Sequence, residues 1–355
     1  MAPAGNFECL HAAIQGGADS VYFGIGNLNM RSHSANNFAA EDLQEVCDIC
    51  RANGIKPYLT LNITLYNEDL GPMREALQAA EKAGVSAVIA SDMAAIAYAR
   101  SLGIEVHIST QLSISNSESL RFYAQFADVI VLARELTLVQ VREIHEIILR
   151  DNIKGPSGRL LEIEMFCHGA LCMAVSGKCY LSLHEYGASA NRGSCYQICR
   201  RGYEVTDLET GNQLLVDNKY IMSPKDLCTI EFMDKIIEAG VTVFNRGFWD
   251  GYYQGARLGE WSEIYGNKAT RTKKYIGKIT NYFDKIGVAE VLIETGSLSV
   301  GDPVIISGPS TGVVEFEIPE IRVDLKPVQT ASKGELCSIP VAEKLRRSDR
   351  IYLFE

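Results

Sequence analysis

The chain has 355 residues, which is long enough to bury a large core in one or two domains. Its 47% hydrophobic and 22% charged residues are typical of an ordinary soluble globular protein. No stretch approaches the roughly 18 apolar residues needed to span a bilayer, and the start lacks the basic and apolar runs of a secretory signal. We therefore expect a cytoplasmic protein without membrane contact, and the net charge of −10 argues against a general nucleic-acid binder.

Short β-rich runs alternate with helical stretches over residues 1–245. The predicted strands are Ser20–Gly24, Pro57–Asn62, Ala87–Ser91, Glu105–Ser109, Asp128–Leu132, Leu161–Phe166, Lys219–Met222 and Val241–Phe244. Helical periodicity covers Ala40–Ala52, Gly71–Ala83, Met93–Leu102, Ser117–Phe126 and Thr137–Leu149. Alternating strands and helices form parallel sheets, so we predict an α/β fold, a TIM-like (β/α) barrel, with an open doubly wound sheet as the alternative.

Polar residues follow the predicted strands where each strand ends. They are Asn62, Asp92, Ser109-Thr110-Gln111 and Arg134-Glu135. In a (β/α) barrel the catalytic residues gather at the carboxyl ends of the strands. Any one of these residues could instead cap a helix or pair inside the core, but their recurrence at the same end predicts a functional site there.

From about Lys273 the pattern changes to β-rich runs separated by glycine turns. These runs are Tyr275–Phe283, Ala289–Glu294, Pro303–Ser307, Gly312–Arg322, Glu335–Pro340 and Arg350–Phe354. They predict a small all-β barrel domain over residues 274–355, joined by a linker at 246–273 to a barrel domain at 1–245 that carries a cysteine-rich insert at 164–201.

Five of the ten cysteines crowd into residues 167–199. Disulfides are rare in cytoplasmic proteins, so metal or cluster ligation is the natural explanation. Cys172, Cys179, Cys195 and Cys199 have the spacing C-x6-C-x15-C-x3-C. Four sulfurs suit zinc or an iron–sulfur cluster, and the single tight pair favours the cluster. Four free buried thiols remain the alternative.

The other five cysteines are scattered along the chain. Cys47 and Cys50 form a C-x-x-C inside a predicted helix, without a second pair to complete a metal site. We expect most of the scattered cysteines to be small buried hydrophobic residues.

The pattern E-x-F-x-H-G-A-L-C-x-x-x-S-G-x-C-x-L-S over Glu164–Ser182 resembles that of the U-32 (collagenase-like) peptidase family. Further matches to this family cover nearly the whole chain. They include Ala2–Asn6, Gly17–Tyr22, Leu59–Asn62, Ser109–Gln111 and Arg134–Leu136. The family contains enzymes that hydroxylate the wobble uridine of tRNA, a cytidine of ribosomal RNA or a ubiquinone precursor.

The resemblance implies an oxygen-labile [4Fe–4S] cluster, with zinc as the alternative. Its ligands would be Cys172, Cys179, Cys195 and Cys199, whereas Cys167 has no cysteine counterpart in the family. The domain arrangement is most similar to that of tRNA uridine hydroxylases, which implies prephenate as co-substrate and 5-hydroxyuridine as product.

Prephenate is a small dicarboxylate, which needs cationic partners. Arg134, Arg31 and Arg192 are candidates, although each could equally be a structural ion-pair residue. Glu164, His168 and Gln111 complete, with Arg134, the candidate catalytic residues. Glu164 and His168 could polarise a substrate, or they could hold in place the residues that contact it.

The expected macromolecular partner is tRNA, with ribosomal RNA or a protein substrate as alternatives. Local basic patches would make the contact, because the chain as a whole is acidic. One patch comprises Lys268, Arg271, Lys273, Lys274 and Lys278, and the other comprises Lys344, Arg346, Arg347 and Arg350. Both could instead be solvated charges at a domain edge.

Two other functions stay open. A peptidase needs a nucleophile or a metal-bound water, and the sequence contains neither H-E-x-x-H nor G-x-S-x-G. His168 and Cys172 suggest a Cys–His pair, but a cysteine that ligates a cluster cannot also be a nucleophile. A zinc-bearing, non-catalytic RNA-binding module is the second alternative.

One stretch departs from the family pattern. The family carries K-I-E-G-R after the eighth strand, whereas here Ala239–Val243 runs directly into Phe244–Trp249. Either the chain has lost a helical segment of the family near Val243–Phe244, or residues are omitted from the sequence there, and the start at Met1 is similarly abrupt.

Overall fold

The computed structural model describes residues 1–30, 32, 37–201, 203–216, 227–229, 233–239 and 273–354. The chain divides into two compact units. The first unit comprises Met1–Ala2 and Asp19–Asn267, and the second comprises Pro3–Ala18 and Lys268–Glu355. The predicted strands Lys219–Met222 and Val241–Phe244 and almost all of the linker lie outside the described residues, so the boundary at residue 245 stays a prediction.

A seven-stranded sheet forms the centre of the first unit, with its strands in the order β1 to β7. The strands are β1 Ala2–Pro3, β2 Ser20–Phe23, β3 Lys56–Leu61, β4 Ala87–Ala90, β5 Glu105–Ile108, β6 Val129–Val131 and β7 Glu162–Glu164. Strands β2 to β7 pair in parallel, each with its neighbour in sequence. A doubly wound sheet reverses its strand order, so this half-barrel confirms the TIM-like prediction and excludes the alternative.

Helices connect consecutive strands and begin at polar caps. The helices of the first unit are α2 Leu43–Ala52, α3 Leu70–Ala83, α4 Met93–Ser101, α5 Ser117–Tyr123, α6 Leu138–Arg150, α7 Leu181–Tyr186 and α8 Met233–Glu238. The Asp92 carboxylate accepts from the Ala94 amide at 2.9 Å, and the Thr137 hydroxyl accepts from the Gln140 amide at 3.4 Å. Side-chain oxygens satisfy amides that the first helical turn leaves unpaired. Every helix among the described residues is too short or too polar to cross a bilayer.

The two faces of the sheet differ in polarity. In β3, Leu59 and Leu61 are buried, while Tyr58 and Thr60 are half-buried on the opposite face. In β7, Ile163 is buried between two glutamates. Successive side chains of a strand point to opposite faces, so one face forms the apolar core and the other carries polar groups.

The second unit is an antiparallel β structure with one helix, α1 Phe7–Gln15. Its main sheet has eight strands, of which Lys273–Phe283 and Val288–Ile293 are adjacent and central. The other strands of the unit are Ser297–Ser299, Pro303–Gly308, Gly312–Glu317, Ile321–Val323, Lys326–Val328, Thr330–Ser332, Leu336–Pro340 and Arg350–Phe354. The C-terminal β-rich prediction is therefore confirmed.

The Gln15 side chain links helix α1 to the backbone of this unit. The Gln15 amide group donates to the Thr311 carbonyl at 2.8 Å and accepts from the Val313 amide at 3.0 Å. One glutamine thus satisfies two backbone groups at the start of the strand Gly312–Glu317, which lies far from it in sequence. The sequence pattern does not reveal this contact between α1 and the strand.

Candidate functional site

The cysteine-rich segment, residues 164–201, follows β7 and consists mainly of turns. It contains β8 His168–Gly169 and α7, and β8 pairs with β11 Leu227–Cys228. Gly177, Gly187 and Gly193 have φ values of 72°, 65° and 86°. Such positive φ values cost little only for glycine, so these three positions let the chain reverse repeatedly and bring distant cysteines together.

The four predicted ligand cysteines are gathered in this segment as free thiols. None of Cys172, Cys179, Cys195 and Cys199 forms a disulfide. Burial raises the pKa of Cys195 and of Cys199, and the charges of Cys172 and Cys179 raise both further. The four groups therefore lie within electrostatic range of one another.

The thiols are not arranged as ligands around a common point. Among the residues that the structure describes, no group of three or more His, Cys, Asp or Glu side chains has the geometry of a metal site. The ligand role of the four cysteines stays a prediction.

The donor set fits an iron–sulfur cluster or zinc. Both are held by four thiolates, and thiolates are soft ligands that select these centres over hard cations. Burial is the main cause of the raised pKa values of Cys195 and Cys199, and repulsion from the neighbouring cysteine charges adds to it. A bound cationic centre reverses this electrostatic penalty and deprotonates its thiol ligands.

Arg192 anchors the cysteine-rich segment to the connection after β3. Its guanidinium donates to the two Asp69 carboxylate oxygens at 2.6 and 3.3 Å and to the Thr64 carbonyl at 3.0 Å. It also lies 3.9 Å from the centre of the Tyr66 ring. Arg192 thus forms an ion pair with Asp69, as the structural alternative expects, and its role as a partner for a dicarboxylate stays a prediction. Arg31, the third candidate, lies outside the described residues.

We expect Asp69→Asn to lower the free energy of unfolding by about 1–3 kcal/mol, the range for a hydrogen bond to a charged group. The hydrogen bond from Arg192 holds the pKa of Asp69 below its usual value. A carboxyl group with a lowered pKa stabilises the fold above its unfolded pKa of about 4, and this contribution is lost as pH falls through the folded value. Urea unfolding measures this free energy for wild type and Asp69→Asn, and the difference between them should be smaller at about pH 3 than at neutral pH.

Asp48→Asn is the matched control for this experiment. Asp48 and Arg51 also pair at 2.6 Å, but both side chains are exposed on α2. Exposed pairs contribute only about 0–1 kcal/mol. An equal effect of the two substitutions would contradict a special role for the Asp69–Arg192 pair.

A pocket opens where the carboxyl ends of β3, β4 and β5 meet the cysteine-rich segment. Its lining includes Asn62, Asp92, Gln111 and Lys178. The Asn62 side chain accepts from the Met30 amide at 3.1 Å, and Asp92 caps α4. The Gln111 Oε1 atom is buried and has no hydrogen-bond partner within the described part of the chain. Buried acceptors are normally paired, so this atom is available to a donor on a ligand.

Two candidate residues, Arg134 and Gln111, lie close to the stretch Ser176-Gly177, of which Gly177 lines the pocket. Arg134 donates to the Ser176 hydroxyl, and its guanidinium lies 6.0 Å from the Phe166 ring centre. A Cβ atom on Gly177 would lie 3.0 Å from the Gln111 Oε1 atom. Glycine at this position therefore allows the segment to approach Gln111 closely.

Glu164 and His168 occupy neighbouring strands of different sheets. Burial raises the pKa of Glu164, while the His107 charge opposes the shift. A carboxyl group with a raised pKa holds its proton closer to neutral pH, which suits a general acid or base. His168 lies in β8, opposite Cys228 of β11. Their catalytic roles, like those of Arg134 and Gln111, stay predictions.

The sequence did not single out His107 and Tyr58, which lie near Glu164 on the polar face of the sheet. The His107 Nε2 atom lies 3.3 Å from Glu105 Oε1, and the ring centres of His107 and Tyr58 are 4.7 Å apart. Burial raises the pKa of Tyr58 to about 12, with Glu164 adding to the effect. The available signal was a histidine in the middle of a predicted buried strand.

The two basic patches are partly neutralised in the second unit. Lys278 lies 2.7 Å from Glu294, and Lys344 pairs with Asp284. Lys268 and Arg271 lie outside the described residues. These patches offer less net positive charge than their sequences suggest.

Comparison with known proteins places the chain in a family. The model of Peptidase family U32 matches residues 5–257. The chain is 54% identical to a collagenase of Porphyromonas gingivalis, with 100% of this chain and 97% of the relative covered. It is 37% identical to tRNA hydroxylation protein P1 of Bacillus subtilis, covering 68% of this chain and 56% of the relative. The solved U32 peptidase Mk0906 is 12% identical, with a TM-score of 0.44 over 70% of this chain and 92% of that one.

The alignment with the collagenase also bears on the predicted missing segment. It runs over 402 positions against 355 residues here, so at least 47 aligned positions of the relative have no counterpart in this chain. The relative therefore contains internal residues that this chain lacks, and their location near Val243–Phe244 stays a prediction. The family match covers well over half of the sequence. The chain belongs to peptidase family U32.

Proposed function

We propose that this chain is a cytoplasmic iron–sulfur enzyme that hydroxylates RNA, converting the wobble uridine of tRNA to 5-hydroxyuridine. The observation that carries the proposal is the gathering of four free thiols on the segment that forms one wall of the pocket at the strand ends. The similarity to tRNA hydroxylation protein P1 supports the same chemistry. Ribosomal RNA is the alternative substrate, supported by 35% identity to the 23S rRNA 5-hydroxycytidine C2501 synthase of Escherichia coli.

Each candidate residue would have its own role in this reaction. Cys172, Cys179, Cys195 and Cys199 would hold the [4Fe–4S] cluster. When bound, such a cluster supplies electron transfer or Lewis acidity that protein side chains lack. The unpaired Gln111 Oε1 atom would accept a hydrogen bond from an N–H donor, such as the imide of uracil.

Arg134 is the cation best suited to a dicarboxylate such as prephenate. In the described residues it contacts a hydroxyl and an aromatic ring and forms no carboxylate ion pair, in contrast to Arg192. A guanidinium can bind a carboxylate through two parallel hydrogen bonds. Arg134 would thus orient the co-substrate beside Gln111, since both approach Ser176-Gly177.

A peptidase is the second candidate function. The collagenase relative at 54% identity favours it, and that alignment covers more of this chain than the alignment with the hydroxylation protein does. Against it, the sequence offers no metalloprotease or serine-hydrolase motif. A third candidate, a zinc-bearing RNA-binding module, would retain the four cysteines without catalysis.

One anaerobic preparation can test all three candidates. Iron, sulfide and zinc are measured, and the protein is then given unmodified tRNA with prephenate or, separately, gelatin. The proposal expects iron and sulfide in the protein and 5-hydroxyuridine in the tRNA. Cleavage of gelatin without any change in the RNA would overturn the proposal in favour of the peptidase. Zinc in the protein, without either activity, would favour the RNA-binding module.

A further inference from the structure

Three tyrosines of the cysteine-rich segment are exposed on its surface. Tyr180, Tyr186 and Tyr196 have exposed fractions of 69%, 46% and 50%. The rings of Tyr186 and Tyr196 lie 5.0 Å apart at an interplanar angle of 39°. Aromatic rings are normally buried for much of their area, so two adjacent exposed rings indicate a binding surface.

Positive charge accompanies these rings. Arg201 donates to the Tyr186 hydroxyl, and its guanidinium lies 5.2 Å from the centre of the Tyr186 ring. Residues 172–204 contain four basic and two acidic residues, in a chain whose net charge is −10. The basic residues are Lys178, Arg192, Arg200 and Arg201; the ion pair of Arg192 with Asp69 neutralises one of them, which leaves three basic residues against two acidic ones. Locally positive charge on an acidic protein favours a polyanionic partner.

We propose that Tyr186, Tyr196 and Arg201, here called the tyrosine face, bind unpaired nucleotides of the RNA substrate. The rings would stack on exposed bases, and the guanidinium would contact the backbone phosphate. Aromatic stacking combined with cationic contacts is the general means of holding single-stranded nucleic acid. Paired bases in a helix are already stacked, so the face selects loops over duplexes.

This inference rests on the proposed RNA substrate and assigns where the chain holds it. It differs from the expectation that RNA contact is confined to the basic patches near residues 268–278 and 344–350. Lys278 and Lys344 of those patches are engaged in ion pairs with Glu294 and Asp284. The tyrosine face, in contrast, lies within the segment that carries the four cysteines. A base bound there would contact residues next in sequence to a predicted cluster ligand, since Tyr196 directly follows Cys195.

The test is an anaerobic binding titration of the full chain. A fluorescent stem–loop RNA with an unpaired loop is compared with a fully paired duplex of equal length. We expect tighter binding of the stem–loop and, for Tyr186→Ala or Tyr196→Ala, a loss of roughly tenfold in affinity, because the stacking of one base is lost. Tyr196→Phe keeps the ring and should bind like the wild type. Arg201→Gln should reduce the salt dependence of binding, because one phosphate contact is lost.

Phe122→Ala provides the matched control. Phe122 is 52% exposed on α5, and its ring lies 5.1 Å from that of Tyr123, so it is a similar aromatic pair outside the cysteine-rich segment. Equal binding by wild type and by the folded Tyr186→Ala and Tyr196→Ala variants would overturn the inference, as would an equal loss in Phe122→Ala. Should the alanine variants fail to fold, a wild-type salt dependence in Arg201→Gln would overturn it.

Nucleoside analysis of the same samples separates this inference from the proposed function. Hydroxylation of RNA by wild type, together with normal binding by the tyrosine variants, overturns only the tyrosine face. Tyrosine-dependent binding of the loop without any hydroxylation overturns only the proposed reaction. Displacement of the stem–loop by gelatin, with no preference for loop over duplex, would overturn both and assign the face to a protein substrate.

Discussion

Replacing Cys195 by alanine is expected to abolish RNA hydroxylation and to leave little iron in anaerobically purified protein. Cys195 lies within electrostatic range of Cys172 and Cys179, since burial first and then the charges of these two groups raise its pKa, and its own charge raises the pKa of Cys199. Groups that merely support a metal ligand typically contribute a factor of about 10–100 to metal affinity or activity, so loss of a ligand itself should exceed 100-fold. Iron and sulfide analysis and nucleoside analysis of treated tRNA measure the two losses.

Cys9→Ala is the control for this substitution. Cys9 is also a free cysteine and is exposed, whereas Cys195 is half-buried, and Cys9 lies on α1 in the second unit. The control should retain wild-type iron content and activity. Retention of iron and activity by Cys195→Ala would show that this thiol is no ligand and would leave the four-cysteine assignment without support.

Gly193→Ala is expected to destabilise the first unit by more than about 2 kcal/mol and to lower its iron content. Gly193 has a φ of 86°, which costs a residue with a side chain about 1–2 kcal/mol. An added Cβ atom would also lie 2.6 Å from the Asn29 carbonyl oxygen and closer still to the Ser32 hydroxyl. The backbone would have to shift two residues before Cys195. Urea unfolding and iron analysis measure the two effects.

Gly187→Ala separates the conformational cost from the steric one. Gly187 has a similar φ of 65°, but an added Cβ atom would meet nothing within 4 Å. The free energy of unfolding of this variant should fall only by the conformational cost of a positive φ, about 1–2 kcal/mol, and its iron content should not change. Equal stability of the two variants would contradict the close approach of Gly193 to residues 29–32.

Local patterns predicted the sheet well because burial and periodicity are properties of short stretches. The strand predicted at Ala87–Ser91 is Ala87–Ala90, and the helix predicted at Met93–Leu102 is Met93–Ser101. The polar residues predicted at the strand ends are also present, but they have two different roles. Asp92 caps a helix, whereas Gln111 keeps an unpaired buried acceptor. A sequence pattern does not distinguish these roles, since both place a polar residue after a strand.

Contacts between distant residues were the part that the sequence did not reveal. Arg192 pairs with Asp69 across 123 positions, and Gln15 reaches Thr311 across 296. Such pairs depend on how the elements pack, and no local periodicity encodes them. The ligand assignment of the cysteines came from a family resemblance, because their spacing alone leaves zinc and an iron–sulfur cluster both open.

The most direct test of the account is nucleoside analysis of tRNA from a strain that lacks this gene. Complementation with the wild-type gene should restore 5-hydroxyuridine derivatives, and complementation with Cys195→Ala should not. Unchanged 5-hydroxyuridine in the deletion strain, together with cleavage of gelatin by purified, cluster-free protein, would contradict the account and establish the peptidase instead.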